Sequence, residues 1–124
     1  MRQVMDAINA RDFDALASVP FDEEFEFHSR ISVSEGDTYR GMDGLREWAA
    51  DVDEVFEDFH AAVTEVQAAD DRAVVVFHVT GRARGSGVPL DVRLAQVWTW
   101  REGKLWRNVA YSDREEAMRA AGVG

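Results

Sequence analysis

Gln96 is the residue whose type and setting say most about chemistry. The stretch Val88 to Arg101 alternates in character as a strand does, and Gln96 shares one face of it with Leu94 and Trp98. An amide between aliphatic and aromatic neighbours must find hydrogen-bond partners or lower stability. It can orient a ligand or donate to a developing oxyanion, but it cannot transfer a proton at ordinary pH. The competing reading is a buried amide bonded to Asn108. His28 closes the segment Phe21 to His28. Its type suits a general base near neutral pH, and an ordinary surface histidine at a strand end is the other reading. The alternation of Phe25 and Phe27 places Ser29, rather than His28, on their face. His60 and His78 are too scattered to join His28 at a ligand spacing such as His-x-x-x-His, so no metal site is expected.

These residues need a frame, and the stretch from Arg72 to Ser112 supplies it. It reads as three consecutive strands, RAVVVFHVTGRAR, VPLDVRLAQVWTWR and KLWRNVAYS, broken at Gly85-Ser86-Gly87 and Glu102-Gly103. Met1 to Ala10 has a helical stripe of Met1, Val4, Met5 and Ile8, and Asp12 is placed to cap a short helix carrying Phe13, Leu16 and Ala17, ended by Pro20. Ser29 to Arg40 reads as a loop in which Asp37 and Tyr39 lie over the mouth of a cavity. Gly41 to Phe59 is a long amphipathic helix with Leu45, Trp48, Ala49, Val52, Val55, Phe56 and Phe59 on one side. Phe59 to Ala69 then shifts to strand period, with a turn at Asp70-Asp71. Ser112 and Glu115 form a capping box for a terminal helix closed by Gly122.

Helices ahead of a run of antiparallel strands predict an α+β architecture over residues 1–124 as a single domain. A twisted antiparallel sheet curls around the helices and leaves a cone-shaped space, a natural small-molecule site. The opposite sheet face is expected to expose Val74, Val76, Val97 and Val109, which argues for a homodimer through the sheet.

Composition narrows the function classes. The net charge of −10 and the absence of a basic stripe exclude nucleic acid as a partner. Arg82, Arg84 and Arg93 form the one candidate patch, read as cross-strand partners for Asp91 and neighbouring acids. The longest uncharged apolar run, Ala73 to Phe77, is too short to cross a bilayer, so no membrane association is expected. No signal peptide is visible, since the N-terminus turns polar at Asp6 and Asn9. With no cysteine there is no disulfide or thiolate chemistry, and a cytoplasmic setting is expected.

The element order and several phrases resemble the nuclear transport factor two superfamily, in particular its SnoaL-like and ketosteroid-isomerase-like branch. The phrases are Ala10-Arg11-Asp12-Phe13-Asp14-Ala15-Leu16, Tyr39-Arg40-Gly41, Val79-Thr80-Gly81, Ala95 to Trp100 with the turn Arg101 to Lys104, and Tyr111 to Glu116. The resemblance implies a cystatin-like α+β barrel. It turns Phe77, Val79 and Gly81, then Val92, Leu94, Gln96 and Trp98, then Asn108, Ala110 and Ser112 toward the cavity, joined by Phe27 and Trp48. It places Gln96 where ketosteroid isomerases hold a protonated acid and SnoaL-like cyclases a histidine, and His28 near the isomerase base. Val4 stands where the isomerases have a tyrosine and Ala110 where the cyclases have an aspartate, so neither dyad is complete.

Two functions follow as expectations. The first is binding of a compact hydrophobic, carbonyl-bearing ligand, with cofactor-independent acid/base catalysis by His28 and Gln96 if the protein is an enzyme. Phe27, Trp48, Phe77, Val79, Leu94, Trp98, Asn108 and Ser112 are the expected ligand contacts, and no cofactor is expected. The second is a non-catalytic dimeric interaction module that uses the exposed sheet face.

Overall fold

In the computed structural model, which describes residues 2–10, 12, 14, 15, 20–28, 38–111 and 113–122, three helices and six strands are seen among those residues. The chain runs α1 (Arg2–Ala10), β1 (Phe21–His28), β2 (Thr38–Arg40), α2 (Gly41–Val55), β3 (Phe56–Ala69), β4 (Arg72–Ala83), β5 (Pro89–Arg101), β6 (Lys104–Tyr111) and α3 (Arg114–Ala121). One open sheet has the strand order β2-β1-β6-β5-β4-β3. The expected α+β fold with a curved sheet around helices is what the chain adopts. The sheet is mixed rather than wholly antiparallel, because β1 runs parallel to β6, with Phe27 opposite Asn108 and His28 opposite Val109.

Turn chemistry accounts for the meander. At Glu102-Gly103 both residues have positive φ, 53° and 77°, the type I′ geometry that matches strand twist. Asp70, with φ of 54°, opens the two-residue turn that joins Ala69 to its partner Arg72. Register shifts between Glu57 and His60, Val63 and Glu65, and Thr99 and Trp100 bend the sheet. The Asn9 amide pins α1 against the first of these, donating to Ala61 O at 2.8 Å and accepting from Ala61 N at 3.0 Å.

Three sequence expectations need adjustment. The long helix stops at Val55, and Phe56 is already extended (φ −122°, ψ 145°), so Phe56 and Phe59 belong to β3. The apolar stripe runs on past the helix end because both elements turn their apolar residues to the same core. Thr38 to Arg40 is a short strand paired antiparallel with β1, not loop. The cap of α3 is Asp113, whose Oδ1 accepts from Glu116 N at 2.8 Å, one residue beyond the proposed Ser112 box. Ser112 itself, with Ser29, Asp37, Phe13, Leu16 and Ala17, lies outside the described residues. Asp12 does accept from Ala15 N at 3.1 Å, as a cap does, and Gly122 closes α3 with φ of 72°.

The largest correction concerns the outer face of the sheet. Val74 and Val97 are buried there with Ala95 against Ala117 and Ala121, while Val76 and Met118 pack alongside. The terminal helix lies on the patch. Val74, Val76 and Val97 are therefore not a bare surface, while Val109 stays half-buried outside this cluster, and the expectation of a homodimer through that face loses that part of its support. Arg82 and Arg84 pair with Glu57 and Asp58 rather than with Asp91, which instead meets His78 Nε2 at 2.7 Å.

Candidate functional site

Between the inner sheet face and the helices lies a small hollow of about 40 Å³. Phe27, Trp48, Phe77, Val79, Leu94 and Gln96, all expected at the site, line it. Met5, Phe59, Ala61 and Ala110 complete the wall. Ala110 sits on the inward face named by the resemblance. Met5 belongs to the apolar stripe of α1, and Phe59 and Ala61 to the alternating start of β3, so their patterns were visible without pointing to a cavity.

The aromatic side of the wall is held by edge-to-face contacts. Phe27 and Trp48 have ring centroids 5.2 Å apart, and Trp48 and Phe59 are 5.9 Å apart. These contacts tie β1, α2 and β3 together around the space. Tyr39 is not at the mouth. It is buried on β2 beside Phe27, and its hydroxyl donates to Asp51 Oδ2 on α2 at 3.1 Å.

Gln96 faces the hollow as expected, but its partner is not Asn108. Trp98 Nε1 donates to Gln96 Oε1 at 2.8 Å. An indole N–H can only donate, so this bond fixes the amide orientation and leaves Nε2 as the free end. Among the described residues Nε2 has no protein acceptor. Trp98 is buried on the same face and does not line the hollow.

Asn108 lies one step behind, opposite both Trp98 and Phe27. It is 7% exposed, and its Oδ1 is buried without a hydrogen-bond partner among the described residues. Such an acceptor is normally satisfied by protein, water or ligand. Gly81 adds no wall. A side chain there would press on Phe59 Cα and Glu57 O, each at 3.3 Å, so the glycine makes room for the bent start of β3. Val92 remains 36% exposed and does not contact the hollow.

His28 is not brought to the site. It follows Phe27 in an extended strand and therefore points to the opposite face, where its Nδ1 meets Thr38 Oγ1 at 3.2 Å. None of the described residues that line the hollow is ionisable. The carboxylates held below their ordinary range lie elsewhere. Asp22 is lowered chiefly by hydrogen bonding to Arg101, and Glu65 chiefly by hydrogen bonding to Arg114.

The sequence profile of the SnoaL-like domain matches residues 1–108. The chain belongs to the SnoaL-like domain family. No curated protein sequence matches it. Among solved structures, this SnoaL-like chain is similar to a ketosteroid-isomerase-fold protein from Catenulispora acidiphila in complex with trimethylamine (19% identity, TM-score 0.76, covering 99% of this chain and 92% of the other). It is also similar to a candidate polyketide cyclase from Sinorhizobium meliloti (26% identity, TM-score 0.67, 88% and 90% covered). TerC co-crystallised with polyporic acid shares the fold at 22% identity and a TM-score of 0.75, with 95% and 94% covered.

Proposed function

We propose that this SnoaL-like domain binds a small neutral molecule that carries one hydrogen-bond acceptor on a compact apolar body. The observation that carries this reading is Gln96, whose amide is oriented by the indole bond at Oε1 and whose Nε2 has no acceptor among the described residues. The described residues around it are aromatic, aliphatic or Met and offer no counter-charge, so an ion held among them meets an uncompensated desolvation cost. A ketone or similar carbonyl meets both conditions. The volume, about 40 Å³, is room for about three waters by the same measure and favours a ligand of few atoms over a polycycle. A relative in complex with trimethylamine gives a precedent for so compact a ligand.

The acid/base reading has weaker support. Gln96 cannot carry a proton, and His28 lies on the other face of its strand. The interaction-module reading loses Val74, Val76 and Val97 from its surface to α3.

The test is titration of the 15N-labelled protein with 2-butanone and, separately, with tetramethylammonium. Binding of the ketone is expected to move the Gln96 side-chain amide signals saturably, and Gln96→Leu is expected to abolish binding while near-ultraviolet circular dichroism stays native. Equal binding of the cation, or ketone binding unaffected by Gln96→Leu, would overturn the proposal.

A further inference from the structure

The outer sheet face carries a second feature, unrelated to the hollow. Pairing aligns Arg72 of β4, Thr99 of β5, Arg107 of β6, Glu26 of β1 and Arg40 of β2 in one row. Within the row three guanidiniums flank one carboxylate, a local excess of positive charge in a chain of net charge −10, with Asp71 beside Arg72 and Glu23 and Glu24 near Arg40 and Arg107. Glu26 is taken by Arg40 and Arg107, at 3.3 and 3.1 Å.

The other end of the row is under-used. Among the described residues the one ion pair of Arg72 is with Asp71, at a long 3.9 Å, and its side chain is 46% exposed. Arg107 retains a buried Nε donor with no acceptor among the described residues. Between these two arginines lies Thr99, whose hydroxyl makes no hydrogen bond to the described residues. Arg72 and Arg107 are two strand spacings apart, roughly 10 Å between backbones, which long side chains can close over an anion seated at Thr99.

A groove of about 210 Å³ opens over this spot. Its remaining walls are apolar or aromatic, with Val97, Val109 and Tyr111 from the sheet, Trp106 beside Arg107, and Ala120 of α3. The Arg107 guanidinium already stacks on the Trp106 ring, 4.2 Å from its centroid, which holds both groups in place.

We infer that this groove is a binding site for a small organic carboxylate with a compact apolar body. The carboxylate takes the donors of Arg72, Thr99 and Arg107, and the body lies on Val97, Val109 and Trp106. A bare inorganic anion would leave the apolar walls unused.

Phenylacetate and its neutral counterpart phenylacetamide are the probes, each titrated into the 15N-labelled full chain at constant ionic strength. Saturable shifts of the Trp106 indole and Thr99 amide signals are expected with phenylacetate and not with the amide. Arg72→Gln, a change at an exposed side chain, should weaken binding by about tenfold or more, and Arg72→Lys should restore part of it. The Gln96 side-chain signals should stay still, which separates this site from the hollow. Shifts of equal size with phenylacetamide, shifts reproduced by sodium chloride alone, or no saturable response to phenylacetate would overturn the assignment.

Discussion

Replacing Asn108 with leucine removes an amide from the floor behind the hollow while keeping the branched shape of the side chain. Asn108 is 7% exposed and faces Phe27 and Trp98 across the sheet, and its Oδ1 has no partner among the described residues. A buried acceptor left unsatisfied costs about 1–3 kcal/mol, and exchanging it for an apolar group of the same shape recovers that cost. Allowing part of the gain to be lost to imperfect packing, Asn108→Leu should be more stable by about 1–2 kcal/mol. Unfolding entropy for the 124 residues is roughly 0.26 kcal/mol/K near the midpoint, so Tm should rise by about 4–8 °C. Urea unfolding checks this directly: the midpoint should rise while the m-value stays the same. Asn108→Asp should move the other way. A carboxylate in this setting has its pKa raised by burial, so that variant is destabilised at neutral pH and recovers as pH falls. A leucine variant less stable than the parent would refute the reasoning, because the amide would then be a satisfied part of the native network. A polar group that lowers stability is the kind of residue a binding site retains, so a stabilised variant should also bind its ligand differently.

Three further outcomes are expected. Gly44→Ala should destabilise the protein despite the better helix propensity of alanine, by about 1–3 kcal/mol, because the new Cβ would lie 2.8 Å from the Tyr39 backbone carbon; chemical denaturation measures it. Ala117→Asp places a carboxylate at a fully buried position of α3 and should lift the helix off Val74 and Val97, read as dye binding to the bared sheet and a higher light-scattering mass. Asp22 and Glu65 are both held below their ordinary values of 3.8 and 4.5 by arginine hydrogen bonds, so the stability they add is complete above those values and is lost as pH falls through the lower folded-state ones. Asp22→Asn and Glu65→Gln should each flatten the acid limb of a stability–pH profile.

Much of the fold was legible because it is written locally. The stripe of Leu45, Trp48, Ala49 and Val52 needs only helical periodicity to be seen, and the turns at Asp70, Glu102-Gly103 and Gly122 need only the short-range conformational preferences of those residues. Strand alternation, with the family resemblance, also placed Phe27, Trp48, Phe77, Val79, Leu94 and Gln96 around one space. The end of α2 was misjudged for a local reason too, since a stripe that continues into β3 carries no mark of where the period changes.

What tertiary structure alone decided are the meetings of distant segments. The parallel pairing of β1 with β6 joins residues about 80 positions apart, a choice that no local pattern encodes. The placement of α3 over Val74 and Val97 turned an expected interface into a second core, because an apolar patch is satisfied equally by a partner or by the chain's own end. The parity of β1 carried His28 away from the hollow, and packing on the inner face gave the Gln96 oxygen to Trp98. Residue type says what a side chain is able to do; which neighbour has already claimed each of its atoms is settled only when the chain closes on itself.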